Sequence, residues 1–107
     1  MEMKELLKFI DIEDKRLHKH YGYSDNEKRI LARNVKLAEE VGELSNEVLA
    51  SLSFQRKSKL DKAESDNLSE EFADVIITAL ILAKAMDVDI NKALDAKVEK
   101  VKKRSLS

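Results

Sequence analysis

The stretch "SEEFADVIITALILAKAM" (Ser69 to Met86) decides the fold. From Val75 onward it holds no Gly, no Pro and a single Lys, and apolar residues point in nearly every direction. A surface helix would show one apolar stripe at a period of 3.6 residues, whereas a helix that is apolar all round is buried on several sides. The twelve residues from Val75 to Met86 are too few to cross a bilayer. The segment is therefore expected to be the central helix of a bundle. In so short a chain it is also expected to reach a subunit contact, with Ile77 and Ile81 at contact positions.

Working outward, Leu6, Leu7, Ile10 and Leu17 suit a first helix from about Met3 to His18. "YGYSDNE" interrupts it, with Gly22 suited to the left-handed conformation past a helix end. Ser24 and Glu27 have the spacing of a capping box and open a long second helix. Its expected inner face runs Ile30, Leu31, Val35, Ala38, Val41, Leu44, Val48, Leu49 and Leu52, and it ends near Phe54. "QRKSKLDKAESDN" (Gln55 to Asn67) reads as a loop, with Asp66 or Asn67 capping the central helix. Asp87 or Asp89 caps a fourth helix from Ile90 to about Arg104, with Ile90, Ala93, Leu94, Val98 and Val101 on one face. No repeat and no second domain is evident. The reading is one all-α domain over residues 1–107, an antiparallel bundle of about four helices, completed by oligomerisation.

Composition agrees and excludes several functions. Two Gly and no Pro in 107 residues leave few breakers for a β-rich fold. Twenty basic and 21 acidic residues give a net charge of -1, so no basic field exists to hold nucleic acid. The absence of Cys removes disulfides and thiolate metal sites. "MEMKELLKFI" lacks the apolar core of a secretion signal. The expectation is a cytoplasmic protein with no membrane partner.

Chemistry is concentrated in "LAEEVGELSNEV" (Leu37 to Val48) and in the start of the central helix. Glu40 and Glu43 are three residues apart, as are Glu71 and Asp74. On a helix that spacing is about 60° of rotation and about 4.5 Å of rise, so each pair points one way. Val41 and Leu44 flank the first pair, Phe72 and Val75 the second, which sets both at the border of a core-facing stripe. If the helices pack, four carboxylates converge and repel. Oxygen ligands of this kind suit a hard divalent cation, Mg²⁺ or Mn²⁺, completed by water and substrate phosphates. Such pairs are also common on solvated helix faces, where they do nothing.

"EEVGEL" followed by "EEFADV" resembles the MazG-type all-α nucleoside triphosphate pyrophosphohydrolases, whose pattern is E-x-x-E, a spacer, then E-x-x-D. The pattern falls on Glu40, Glu43, Glu71 and Asp74 with a spacer of 27 residues, and the likeness runs from about Asn34 to Arg104. The resemblance implies a helical bundle that forms a homodimer or homotetramer. It implies that Mg²⁺ (or Mn²⁺) on the four carboxylates helps cleave a (d)NTP substrate to monophosphate and pyrophosphate. Glu39, Glu40 or Glu43 would take a proton from the attacking water, and the sequence does not choose among them. Lys36 sits in a K-x-x-E-E pattern seen in relatives and would contact phosphate; it could equally pair with Glu40 one turn on. Lys97 and Arg104 match basic substrate-binding positions of relatives, while Val101 stands where relatives often carry Asn.

Other readings are weaker. A phosphoribosyl-ATP pyrophosphohydrolase would resemble the same motif but usually carries His after E-x-x-D, where this chain has Val75, Ile76 and Ile77. A di-iron bundle needs E-x-x-H, and the residues three before His18 and His20 are Lys15 and Leu17. A non-catalytic helical interaction module is the remaining class. His18 and His20 read as surface residues, and Tyr21, Tyr23 and Phe54 as residues closing the core at helix ends rather than base-stacking groups. "KVEKVKKR" suits a helix C-terminus, where cations oppose the dipole.

Overall fold

The computed structural model describes residues 1–22, 25–52 and 62–106, and the side chains of all of these except 62–66 and 106. Four helices make up the described residues: α1 (Met3–Tyr21), α2 (Asn26–Ser51), α3 (Lys62–Ala85) and α4 (Ile90–Leu106). The all-α bundle expected from the sequence is what forms. No helix among the described residues is long and apolar enough to cross a membrane.

The helix ends follow local chemistry. Gly22 takes φ 63° and its N–H donates to the His18 carbonyl, so α1 closes in the left-handed conformation that favours glycine. The cap of α2 is Asp25, whose carboxylate accepts from the Glu27 N–H at 2.8 Å. The expected Ser24 box is displaced by one residue, and Ser24 itself lies outside the described residues. Asp66 and Asn67 do not cap α3, because the helix already begins at Lys62. At the far end of α3, Asp87 holds φ 57°, while the Val88 N–H donates to the Ala83 carbonyl. Asp87 thus ends one helix, and Asp89 caps the next by accepting from the Lys92 N–H at 3.1 Å.

α3 is the hub. It packs most extensively on α2, then on α1, and meets α4 least. Ile10 of α1 with Leu80 and Ile81 of α3 form the buried core, and Leu6, Leu17, Ile77 and Ile90 pack around them. Ile77 and Ile81 therefore serve the chain's own core, and among the described side chains of α3 the exposed large apolar ones are Phe72 and Ile76. Arg29, near the start of α2, donates to the Ala85 carbonyl at the end of α3, and Glu40 and Glu43 meet Glu71 further along. The two helices therefore run antiparallel.

α2 turns a different face inward from the one expected. Leu31, Val35, Ala38, Val41, Leu49 and Leu52 are exposed. The inner stripe is Ile30, Arg33, Leu37, Glu40 and Leu44, again at three- and four-residue intervals, with Arg33 and Glu40 its most buried members. α1 has the same construction, with Leu6, Ile10, Asp14 and Leu17 inward and Asp14 buried. Apolar count alone favoured the outer face of α2. The inner face wins because its charged residues find each other across the bundle: Arg33 Nη1 lies 2.7 Å and Arg29 Nη1 3.1 Å from Asp14 Oδ1. Lys84 of α3 pairs with Asp11 of α1 at 3.2 Å and closes the third side.

Candidate functional site

Glu40 comes from the inner stripe of α2 and Glu71 from the facing stripe of α3, while Glu43 stands one turn on at the exposed edge. One carboxylate oxygen of each lies within 4.8 Å of those of the other two. Asp74 is one turn further along α3, half-buried, outside this tightest group but close enough to add negative charge at Glu71. The packing of two antiparallel helices has thus drawn both halves of the sequence pattern to one place.

The cluster is electrostatically unfinished. Among the described residues, Oε2 of Glu40 and Oε2 of Glu71 are buried and accept no hydrogen bond. A buried carboxylate oxygen without a partner is costly, and like charges beside it add to the cost. The Glu71 carboxyl is accordingly held above the ordinary carboxylate range, first by burial, then by the charges of Glu43, Asp74 and Glu40 and by a hydrogen bond shared with Glu43. Lys36 gives partial relief: its ammonium lies 3.1 Å from Glu40 Oε1 and 3.7 Å from Glu39 Oε2. The hydrogen bond to Glu40, then the Coulomb attraction of Glu40, Glu39 and Glu43, holds Lys36 above its ordinary pKa.

A hard divalent cation fits this donor set. It takes carboxylate oxygens and tolerates water in its remaining positions. The two residues with orphaned oxygens are on opposite helices and belong to the same cluster. Glu40, Glu43 and Glu71 are the residues that could hold it, with Asp74 as a neighbour.

A cavity of ≈ 380 Å³ opens beside the cluster in the groove between α2 and α3, closed on its third side by α1. Ile81 and Arg33 are buried at its floor, Leu17, Ala32 and Thr78 form its walls, and Val35 and Tyr21 stand at its exposed rim. Lys36 and Glu39 also line it, on the side toward the carboxylates, and Glu13 completes the α1 side.

The remaining expected residues fall elsewhere. Glu39 is exposed and paired with Lys36. Lys97 and Arg104 are exposed on α4, and neither lines the cavity. His18 and His20 are exposed, as expected, and the His20 ring meets Tyr21 edge to face at 4.7 Å. Tyr21, expected to close the core, is exposed at the cavity rim. Tyr23 and Phe54 lie outside the described residues. Sequence reasoning missed Asp14, Arg33, Leu17 and Thr78. The signal for the first two was available, because a charged residue stands at an apolar-stripe position on each of two neighbouring helices, with opposite signs.

These features define a class: an all-α bundle with a carboxylate cluster suited to a divalent cation. The chain belongs to the MazG-like family, whose model matches residues 31–106. No curated protein and no solved structure matches it. The family match begins inside α2, so α1, which closes the cavity, stands outside it.

Proposed function

We propose that the chain is a Mg²⁺-dependent nucleoside triphosphate pyrophosphohydrolase, converting a (d)NTP and water to monophosphate and pyrophosphate. The observation that carries this reading is that Glu40 of α2 and Glu71 of α3, two members of one three-carboxylate cluster, each keep a buried carboxylate oxygen without a partner among the described residues. Membership of the MazG-like family supports it. When bound, the cation neutralises phosphate oxygens and makes water more acidic.

The chain's own residues do the rest. Glu40, Glu43 and Glu71, with Asp74 beside them, hold the metal. A water oxygen attacks phosphorus, the bond between the α-phosphorus and the α,β-bridging oxygen breaks, and pyrophosphate departs with that electron pair. A carboxylate at the edge of the cluster accepts the water proton. Glu43 and Glu39 are the exposed candidates, and Glu39 also reaches Lys36. Lys36, exposed beside the cluster and paired with Glu40 and Glu39, would contact a phosphate oxygen of the substrate. Pyrophosphate release from a nucleotide panel with Mg²⁺ tests the proposal. Release of orthophosphate with a diphosphate product would place the cut at the wrong bond and refute it.

Self-association belongs to the same proposal. The chain exposes 8406 Å², against about 6,100 Å² for a compact monomer of its mass. Its radius of gyration is 17.0 Å, against about 13 Å for a compact domain of this length. Leu94, Val98 and Val101 form an exposed stripe on α4, and Phe72 and Ile76 another on α3. A homodimer or homotetramer would cover these apolar strips. A single sedimenting species of monomer mass at micromolar concentration would exclude it.

A further inference from the structure

We infer that Asp14 of α1 is a positioning residue for the carboxylate site: by gripping Arg29 and Arg33 it fixes the rotation of α2 about its own axis, and so holds Glu40 and Glu43 against Glu71. The inference rests on the hydrolase reading for what the carboxylates bind, and it adds the residues that keep them together. Asp14 and Arg29 precede the residues that the family model matches, so membership of the family assigns them no role.

Apolar packing does not settle the rotation of α2. From Val75 to Met86, α3 is apolar nearly all round, so it can receive either face of its neighbour. The outer face of α2 offers Leu31, Val35, Val41 and Leu49, all exposed. The inner face offers Ile30, Leu37 and Leu44, each half-buried, together with the charges of Arg33 and Glu40. The carboxylates oppose the rotation that is seen. Three groups of one sign lie together, and among the described residues a buried oxygen of Glu40 and one of Glu71 have no partner. Turning α2 outward would return Glu40 to water and relieve both costs. Lys36 does not resist that turn, because it pairs with Glu40 from the same helix and moves with it. The unfavourable arrangement therefore needs a restraint from another helix.

Asp14 supplies one. Arg29 and Arg33 stand one turn apart on α2, and their Nη1 atoms reach Asp14 Oδ1 at 3.1 Å and 2.7 Å. Arg33 Nη2 also donates to the Asp14 carbonyl at 3.3 Å, and Arg29 Nη2 to the Ala85 carbonyl at 3.4 Å. The α1 and α2 backbones scarcely meet, so these long side chains bridge a gap between the two helices. Donors from successive turns converging on one oxygen leave α2 little freedom to turn. α1 is itself anchored on α3, through Ile10 in the core with Leu80 and Ile81. Glu40 follows Arg33 by seven residues, two turns along the same stripe, so the helix carries the orientation from one to the other. The tolerance is narrow. A carboxylate about 6 Å from the helix axis moves about 2 Å when the helix turns by about 20°, which is a whole Mg²⁺–oxygen distance.

The chain has no cysteine, so spin labels can be placed singly. Asn46→Cys on α2 and Ala73→Cys on α3 are exposed positions for them, read in metal-free protein diluted with unlabelled chain. Asp14→Asn keeps the size of the side chain and removes its charge. It should shift the distance between the labels by at least about 2 Å, and a smaller shift overturns the inference. In the unlabelled protein the same variant should weaken Mn²⁺ binding, read from the spin resonance of the free ion, at least about fivefold; a smaller loss also overturns it. Ile10→Val separates positioning from structure. It loosens the core packing of α1 without touching the ion group, and should lower the melting temperature while Mn²⁺ affinity stays within about fivefold of the parent. An equal loss of affinity in that variant would make Asp14 merely structural. If Asp14→Asn does not fold, Arg33→Lys keeps a cation opposite Asp14 but loses the guanidinium fork, and the same two criteria apply. A parent protein that binds no Mn²⁺ removes the hydrolase reading, and the label distance then decides the inference by itself.

Discussion

Two groups of buried charge lie on the inner stripe of α2, one at Arg33 and one at Glu40, seven residues or about 10 Å apart. At the first, Asp14 receives Arg33 and Arg29, and each guanidinium finds a further oxygen, the Asp14 carbonyl for Arg33 and the Ala85 carbonyl for Arg29. Opposite charges from α1 and α2 meet there and the end of α3 is tied in. At the second, charges of one sign from α2 and α3 meet, and among the described residues a single lysine stands at the edge and two buried oxygens have no partner. Burial is similar for both, so burial does not distinguish a structural group from a functional one. The distinction lies in whether the charges are satisfied within the chain. A satisfied group locks the fold, and an unsatisfied one stores a demand that a ligand can meet.

Breaking the first group should have the largest effect on stability. Asp14→Ala leaves two guanidinium groups facing a low-dielectric interior and should cost about 3–5 kcal/mol of unfolding free energy, read from denaturant midpoints. A cost below about 1 kcal/mol would show that the arginines simply turn to solvent. Breaking the second group should do the opposite. Glu40→Gln should lower kcat/KM by at least about 100-fold, worth about 2.7 kcal/mol of transition-state stabilisation, with the fold intact by circular dichroism. Activity within about threefold of the parent would remove Glu40 from the metal site.

The pH dependence sharpens the contrast. Glu71 has a carboxyl raised above its ordinary value of 4.5, chiefly by burial. Below the ordinary value it is protonated both folded and unfolded, and it contributes no penalty. As pH rises, the unfolded chain ionises first and is favoured, so the folded state loses stability until the raised pKa is passed. The metal-free protein should therefore fall behind Glu71→Gln in melting temperature as pH is taken from about 4 to 7, with the two coinciding at the acid end. Added Mg²⁺ should raise the parent and close the gap, because it binds only the folded parent. A gap that is constant across pH would mean that the variant acts through packing. The smallest expected effect lies outside both groups and calibrates them. Asp87 holds a left-handed φ of 57°, which Asn adopts more readily than most residues, so Asp87→Asn should stabilise by no more than about 0.5 kcal/mol and leave activity unchanged.

Much of this was legible in the residues. The helix content, the positions of the long helices, the left-handed stop at Gly22 and the cap at Asp89 are local matters, set by composition, by glycine and by side chains that bond their own backbone. The alignment within E-x-x-E and within E-x-x-D was also readable, since helical spacing turns each pair one way, and that the two belong to one site was what the resemblance implied. The inner face of α2 was misread because Leu31, Val35, Val41 and Leu49 look like a core stripe when the helix is considered by itself. That face is apolar and yet exposed, a combination that a sequence pattern cannot signal unless the neighbours of the helix are known.

The sequence by itself determined four amphipathic or apolar helices, their order, and two carboxylate pairs each aimed in one direction, because those properties depend on residues within one or two turns of each other. Only the tertiary structure decided which faces meet. It put Arg33 and Glu40 inside, set Asp14 against two arginines, and brought Glu71 to the Glu40–Glu43 pair from a helix whose start lies beyond an intervening segment. It also made the cavity, which takes its walls from three helices and exists in none of them alone. The physical reason is that charge satisfaction and empty volume are properties of juxtaposition. They arise from groups far apart in the chain, and only packing fixes the distances between them.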